Sequence, residues 1–304
     1  MISVLIVIYN PDDELHHCIK RLINISADVP LEIIVVDNHS TNEVAQVLPQ
    51  HFPQIKVIRS NKNLGFGGGN NLAFAHSSGD YVMCVNPDLM LTQEALRALL
   101  EAIQDNPQVG VVGPRTYDSR SELIDTARAD YTLMRICVKY LGISLLIPSL
   151  LYGPYRRKMR TETAAFETDW LQGSCLLMRR QTFETLNGFD DDFFLYMEDT
   201  DLCYRIRQSG LKVLYVPQAV VEHIGGTTTS RYHTLRVHSF HHSPILYQRK
   251  RGNIFGVIVL KFVFMIELCA KIVIRTVLNL IRYNQDRSQR RNAEINTLTK
   301  VWFF

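Results

Sequence analysis

The segment GFDDDFFLYMEDTDLCYRIRQSG (188–210) sets six carboxylates, Asp190, Asp191, Asp192, Glu198, Asp199 and Asp201, around the apolar run Phe193-Phe194-Leu195-Tyr196-Met197. From Glu198 onward the pattern turns helical, since Leu202 and Ile206 share one face at i,i+4 and Asp201 can pair with Arg205 across one turn. Asp201 thereby has a structural task. Glu198 and Asp199 are left at the helix start, where the dipole favours the ionised form and a carboxylate can accept a proton. Asp190 to Asp192 read as a solvated turn, with a place for Asp191 or Asp192 beside a substrate as the alternative.

Other stretches carry chemistry of a different kind. In NPD (86–88) the proline fixes a turn and leaves Asp88 projecting from a strand end, where one carboxylate, waters and phosphate oxygens can share a hard cation. An Asx-type turn before a helix capped by Thr92 accounts for the same residues. The stretch NKNLGFGGGNN (61–71) holds Gly65, Gly67, Gly68 and Gly69 just ahead of a helix-like NNLAFAHSS, a composition that suits close approach to an anion such as a diphosphate. No Gly-Lys-Ser/Thr follows, so it is not a P-loop, and a flexible loop with an Asn cap is the rival. His223 in VEHIGG and Trp170 in DWLQGSCLLMRR each have a structural alternative, a turn cap for the histidine and a core site for the indole.

These residues need a scaffold, and the chain supplies one. Apolar runs SVLIVIYN, LEIIVVDN, KVIRSN and DYVMCVN alternate with helix-like stretches, which predicts an α/β protein with a mostly parallel central sheet flanked by helices. Ligands of such sheets sit at the carboxyl ends of the strands. Polar residues follow those ends here: Tyr9 and Asn10, Asp37 and Asn38, Asn61 to Asn63, and Asn86 with Asp88. The six cysteines form no C-x-x-C pair, so neither a zinc site nor a disulfide framework is expected, and the first apolar run reads as a buried strand rather than a signal peptide.

Charge divides the chain. Residues 1–230 carry 20 Lys and Arg against 27 Asp and Glu, whereas residues 231–304 carry 13 against three, a net charge of +10. Within the tail, residues 253–283 are aliphatic but interrupted by Lys261, Glu267, Lys271, Arg275 and Arg282, with no run near the roughly 20 residues a spanning helix needs. At about 100° per residue these five charges occupy one face roughly 120° wide, which predicts an amphipathic in-plane helix at an anionic membrane surface. A helix packed on the catalytic domain or on a second subunit is the alternative. Nucleic acid is disfavoured as the partner, because the cations lie among long aliphatics rather than exposed aromatics. The apolar-to-basic stretch LGISLLIPSLLYGPYRRKMR admits either a lipid headgroup contact or a loop packed on the domain.

The blocks VLIVIYN, IIVVDNHSTN, NLGFGGGNN, DYVMCVNPD, LQGSCLLMRRQTFETLNGFDDDFFLYMEDTDLCYRIRQSG and EHIGG, in this order, resemble a family 2 glycosyltransferase of the GT-A (nucleotide-diphospho-sugar transferase) fold, in the bacterial rhamnosyltransferase-like branch. The resemblance covers residues 1 to about 250. It implies a catalytic domain over 1–230, with a nucleotide-binding part to about residue 115 and an acceptor part from about 116, followed by a basic helical membrane-association region over 231–304. It implies nucleotide contacts from Tyr9, Asn10, Asp37, Asn38, Asn63, Gly65, Asn70 and Asn86, and a Mg²⁺ or Mn²⁺ ion held by Asp88 and His223. Asn86 stands where the family's D-x-D motif has its first carboxylate. Trp170, Gly173 and Asp191 are implied near the sugar or acceptor, Asp199 as the base and Glu198 as its neighbour in the catalytic pair.

The implied reaction is inverting transfer, onto a lipid-linked saccharide, of a sugar from a nucleotide-diphosphate donor, with dTDP-L-rhamnose the donor of the resembling branch. The implied place is peripheral, at the cytoplasmic side of a bacterial inner membrane, with a homo-oligomer left open. Alternatives are a transferase using a UDP-sugar, a processive polysaccharide synthase, and a non-catalytic nucleotide-sugar-binding partner of an assembly complex. A synthase expects several spanning helices and a Q-x-x-R-W motif, and neither Trp170 nor Trp302 has that context.

Overall fold

The computed structural model describes residues 1–147, 149–224, 233–281 and 284–304; Gly225, Gly226 and Arg282 of the stretches discussed above lie outside the described residues. Eleven strands form among these: β1 (Ile2–Ile8), β2 (Leu31–Asp37), β3 (Lys56–Arg59), β4 (Tyr81–Val85), β5 (Leu89–Met90), β6 (Val109–Tyr117), β7 (Ala127–Arg128), β8 (Phe166–Glu167), β9 (Trp170–Leu171), β10 (Cys175–Arg179) and β11 (Lys212–His223). The main sheet runs β3-β2-β1-β4-β10-β6-β11-β5, with β8 on β11, while β7 and β9 pair separately.

The alternating half of the sequence gives the parallel half of the sheet. Val4 of β1 lies between Ile33 of β2 and Met83 of β4, all buried, and α1 (Glu14–Ile25) covers one face with Leu15, Cys18, Ile19 and Leu22. Both faces of β1 are covered, hence its unbroken apolar run. From β10 onward the sheet is mixed. β10 is antiparallel to β4 and β6, β11 is parallel to β6, and β5 and β8 are antiparallel to β11. This reversal has a positional consequence: the antiparallel register sets Cys175, the first residue of β10, opposite Val85, the last of β4. The residues before β10 therefore arrive at the edge where β4 ends. Likewise β5 pairs with the end of β11, placing His223 opposite Leu89.

Helices α2 (Val44–His51), α3 (Gly65–Phe74) and α4 (Gln93–Gln104) complete the first layers. Thr92 caps α4 as its position suggests, accepting the Ala95 N–H at 3.1 Å. All six cysteines are free.

The chain divides into two compact units, Met1–Asp130 with Pro154–Phe194 and Glu198–Thr228 in one, and Tyr131–Gly153, Leu195–Met197 and Thr229–Phe304 in the other. The second unit is helical. Its core gathers Ile136, Ile245, Leu260, Phe264, Leu268 and Val301 from the helices Leu133–Tyr140, His233–Lys250 and Ile254–Ile281 and from the C-terminal turn. Of the expected charged stripe on the 28-residue helix Ile254–Ile281, Glu267, Arg275 and Lys261 meet neighbouring elements, while Lys271 is exposed and pairs with Glu267 of its own helix. Glu267 is buried and meets His241 at 3.0 Å and Lys271, Arg275 meets the buried Glu294 at 2.9 Å, and Lys261 donates to the Trp302 carbonyl at 2.7 Å. Pairing is what makes burial of these charges tolerable. Among the described residues, no helix is long and apolar enough to cross a membrane.

Candidate active site

Asp199 is held by backbone at the start of the helix Glu198–Gln208. Its Oδ2 accepts the Gly173 N–H at 2.8 Å, and its Oδ1 accepts the Thr200 N–H at 2.7 Å and the Thr200 hydroxyl at 3.2 Å. Burial raises its pKa from the ordinary value, and the donors from Gly173 and Thr200 pull it back in part. Glu198 beside it is more extreme. It is buried, its Oε2 has no hydrogen-bond partner, and burial together with the neighbouring Asp199 pushes its pKa well up. The two carboxyls thus divide into one oriented by donors and one without them on Oε2, whose protonated form burial favours. The residues just before them are strained, with Tyr196 and Met197 at φ of 66° and 71°, a region costly for side chains of this size.

The reversal of β10 brings a second group to the same edge. Asn86 donates its N–H to the Ser174 carbonyl at 2.9 Å, one residue from the Gly173 that holds Asp199. Two residues on, Asp88 Oδ1 lies 2.9 Å from His223 Nε2, and the Asn86 amide nitrogen lies 3.3 Å from the same imidazole nitrogen. A carboxylate oxygen and an imidazole nitrogen that converge in this way suit a divalent cation whose remaining positions are filled by phosphate oxygens and water. Among the described residues no cluster of three His, Cys, Asp or Glu forms.

The ends of β1 and β2 are more tightly committed than expected. Asp37 is fully buried; its Oδ1 accepts the Ser40 N–H at 2.9 Å, and its Oδ2, 3.6 Å from Arg59 Nε, accepts no hydrogen bond. Asn10 (φ 45°) accepts both the Thr41 N–H and hydroxyl on Oδ1, and Tyr9 before it is half-buried. Asn38 has a task other than lining a pocket. Its amide donates to Asn63 Oδ1 and to the Gly65 carbonyl, each at 2.9 Å, and its Oδ1 accepts the Leu64 N–H at 2.8 Å, so it clamps the 63–65 turn. Asn63 in turn accepts the Gly65 N–H at 3.0 Å.

The glycines are likewise not a loop. Helix α3 begins at Gly65, and at Gly65, Gly67 and Gly69 the space a Cβ would take is filled by neighbouring atoms. A Cβ on Gly67 would stand 3.0 Å from Phe189 Cβ, one on Gly69 2.6 Å from Val7 Cγ1, and one on Gly65 (φ +76°) 2.1 Å from the Phe194 carbonyl oxygen. Close packing of α3 onto β1 and the 188–194 loop explains their number. Asn70 is buried within this helix, its amide returned to the Phe66 carbonyl and its Oδ1 without a partner.

Trp170 is a core residue rather than a platform, 5% exposed, with its indole N–H given to the Ala129 carbonyl at 2.9 Å and the Arg128 guanidinium over its ring. Gly173 serves Asp199: a Cβ there would meet Phe66 at 3.2 Å and Asp199 Cβ at 3.3 Å. Asp191 is exposed and receives the Asn71 amide at 2.7 Å, which fastens the 188–192 turn to α3. Asp201 meets Arg205 at 2.7 Å, as expected. Sequence reasoning missed Thr200, Arg59 and Ser174. Thr200 had a local signal, a hydroxyl next to a carboxylate, whereas Arg59 and Ser174 reach their partners only through sheet register.

Residues 3–186 match the family described as glycosyl transferase family 2, and residues 156–238 match the N-terminal domain of galactosyltransferase. The chain is 29% identical over 267 residues to an N-acetylglucosaminyl-diphospho-decaprenol L-rhamnosyltransferase of Mycobacterium tuberculosis, covering 83% of this chain and 85% of the relative. It is also 29% identical over 229 residues to the rhamnosyltransferase WbbL of Escherichia coli K12, covering 71% and 81%. In fold it is similar to a mannosyltransferase of Pyrobaculum calidifontis solved with GDP-Man and Mn²⁺ (TM-score 0.55, 15% identity, 99% of this chain and 87% of that one). A second likeness is to GalNAc-T7 solved with UDP, GalNAc and Mn²⁺ (TM-score 0.56, 17% identity, 75% and 43%). The family match spans more than half of the chain and the fold agrees with it: the protein belongs to glycosyl transferase family 2, in its rhamnosyltransferase-like branch, and is a glycosyltransferase of the GT-A fold.

Proposed function

We propose that the protein transfers L-rhamnose from dTDP-L-rhamnose, with inversion, to a hydroxyl of a lipid-linked saccharide. The observation that carries the chemistry is the lone oriented carboxylate of Asp199, fixed between the N–H groups of Gly173 and Thr200. Direct displacement at an anomeric carbon needs one carboxylate to take the acceptor's proton, whereas hydrolysis by paired carboxyls needs one on each side of the sugar. Asp199 fits the first need. Its raised pKa brings it closer to the operating pH, which favours proton acceptance at the moment of attack. Glu198, whose protonated form burial and Asp199 favour, can in that form donate a hydrogen bond to the acceptor or the loop.

The donor fits the strand ends. Asp37 Oδ2 lacks a hydrogen-bond donor, and the N3–H of thymine supplies one when the half-exposed Arg59 side chain swings aside. Asp88 and His223 would hold a Mg²⁺ or Mn²⁺ ion, and the solved fold relatives that carry Mn²⁺ support this choice of cofactor. Such an ion supplies charge stabilisation of the departing nucleoside diphosphate. With Asn86 in place of a carboxylate, the protein contributes one negative charge there, and the Asn86 amide is available to the ribose. The choice of rhamnose and of a lipid-linked acceptor rests on the names of the two rhamnosyltransferase relatives.

The test is purified protein offered dTDP-L-rhamnose, UDP-sugars and GDP-mannose with a short-chain prenyl-diphosphate N-acetylglucosamine acceptor. Product formed from dTDP-L-rhamnose alone is expected. Turnover only with a UDP-sugar moves the enzyme to the other donor class, and binding without turnover of any donor leaves a non-catalytic partner.

A further inference from the structure

The helix Ile254–Ile281 is amphipathic in the reverse of the usual sense for a protein surface. Its described charges lie on the opposite face, where Glu267 meets His241, Arg275 meets Glu294, Lys261 meets the Trp302 carbonyl and Lys271 pairs with Glu267 of the same helix, while Phe255 (72% exposed), Phe262 (48%), Ile266 (61%) and Val273 (61%) stand in solvent together with Ile258 and Val277. These six fall within roughly 100° of helix circumference, with no charged residue among them. They form a ridge along a helix about 42 Å long. Trp302 and Phe303 extend the apolar surface at 52% and 88% exposure, the Trp302 ring lying 5.5 Å from that of Phe262. A continuous apolar surface of this extent has an occupant.

We infer that the occupant is an anionic lipid surface, on which the helix lies in plane. Charge decides the identity. Residues 231–304 carry a net charge of +10, and the three acidic residues in that span are each paired with a cation: Glu267 with Lys271, Glu294 with Arg275 and Asp286 with Arg290. No acidic group in this span is left to repel phosphate headgroups. A second copy of the chain is disfavoured on the same ground, because pairing ridge to ridge sets +10 against +10. Exposed Phe and Trp are the side chains that settle at the headgroup boundary, and the net positive charge of this span adds long-range attraction to anionic lipid. The same unit shows a second apolar run, with Leu145 and Leu146 86% and 84% exposed. The ridge stands on its own surface chemistry and does not depend on which sugar is transferred.

The test is co-sedimentation of the full chain with phosphatidylcholine vesicles and with vesicles holding about 30% phosphatidylglycerol, at low and high salt. Expected are tight binding to the anionic vesicles, at least tenfold weaker binding to the neutral ones, and weakening by salt. The variant Ile258→Asn/Ile266→Asn/Val273→Asn, altered at exposed positions only, is expected to lose at least tenfold in vesicle partitioning while keeping its melting temperature and its dTDP affinity. If that variant unfolds, Phe262→Ser answers by the same criterion. Failure of the parent chain to bind anionic vesicles overturns the inference. So does undiminished binding by folded ridge variants, or a stable dimer in solution that those variants dissociate.

Discussion

The Gly173 N–H donates to Oδ2 of Asp199 at 2.8 Å, and this one bond ties the start of β10 to the start of the helix that carries the two buried carboxyls. The next residue, Ser174, accepts the Asn86 N–H at 2.9 Å, so a two-residue stretch braces both Asp199 and the turn bearing Asp88. Oriented donors that hold a carboxylate before the reaction begins spare reorganisation during it. Asp199→Asn keeps the shape but cannot accept a proton, and its single amide oxygen can accept from Gly173 or from Thr200, not from both. Turnover is expected to fall roughly 10²- to 10⁴-fold with donor affinity little changed. Glu198→Gln is expected to cost less. Saturating kinetics with isothermal titration of dTDP separates the two effects, and near-normal turnover in Asp199→Asn would place the base elsewhere.

Glu198 makes a prediction about stability. Its pKa is raised in the fold by burial and by Asp199, so over the range between the ordinary carboxylate value and the raised one the unfolded chain has lost a proton that the native state keeps. Stability then falls as pH rises through that window. Below it, the group is protonated in both states and contributes nothing. Glu198→Gln removes the penalty, so the variant is expected to melt higher than the parent at pH 8 and to converge with it near pH 4. Thermal denaturation at both pH values checks the sign; a variant less stable at pH 8 would mean that ionised Glu198 has a partner.

Much of this site was legible from residue order, and the rest depended on pairing. Runs alternating with helices disclosed β1 to β4: β1, β2 and β4 are buried and therefore almost wholly apolar, while the edge strand β3 shows through its two central β-branched residues. The helix at Glu198 and its Asp201–Arg205 pair followed from i,i+4 spacing alone. Three features were hidden. The direction of β10 is a matter of register, which no local pattern records, and with it went the bond from Gly173 to Asp199. Glycine's role at 65–69 is ambiguous in sequence, since a phosphate cradle and a tight helix contact both need a missing Cβ. Helical periodicity grouped Lys261, Glu267, Lys271 and Arg275 on one face but could not say which side of the helix would meet protein.

Asp88 and His223 are expected to respond differently from Asp199. If the proposed metal site is right, removing the Asp88 carboxylate takes away a metal-binding anion, so Asp88→Ala is expected to weaken Mn²⁺-dependent donor binding at least tenfold and to abolish transfer nearly completely. His223→Ala leaves that charge and is expected to cost less. Titration of dTDP with Mn²⁺ and again with EDTA checks both, independently of turnover. Donor binding unaffected by EDTA, with Asp88→Ala nearly normal, would indicate a site that stabilises the diphosphate without metal.

The contact between Gly69 and Val7 tests the reassignment of the glycine run. In an isolated helix, alanine in place of glycine gains about 1 kcal/mol. Here the added Cβ would stand 2.6 Å from Val7 Cγ1 and 2.9 Å from Cγ2, on a strand that cannot withdraw because it lies mid-sheet between β2 and β4. Overpacking of this kind costs about 1–3 kcal/mol, which outweighs the gain. Gly69→Ala is therefore expected to lower the urea midpoint, and Val7→Ala in the same chain to recover part of the loss by removing the two methyl groups that clash. Gly65 offers no such rescue, because its obstacle is the Phe194 backbone oxygen and its own φ is +76°. A Gly69→Ala chain as stable as the parent, with weakened dTDP binding instead, would return these glycines to the phosphate.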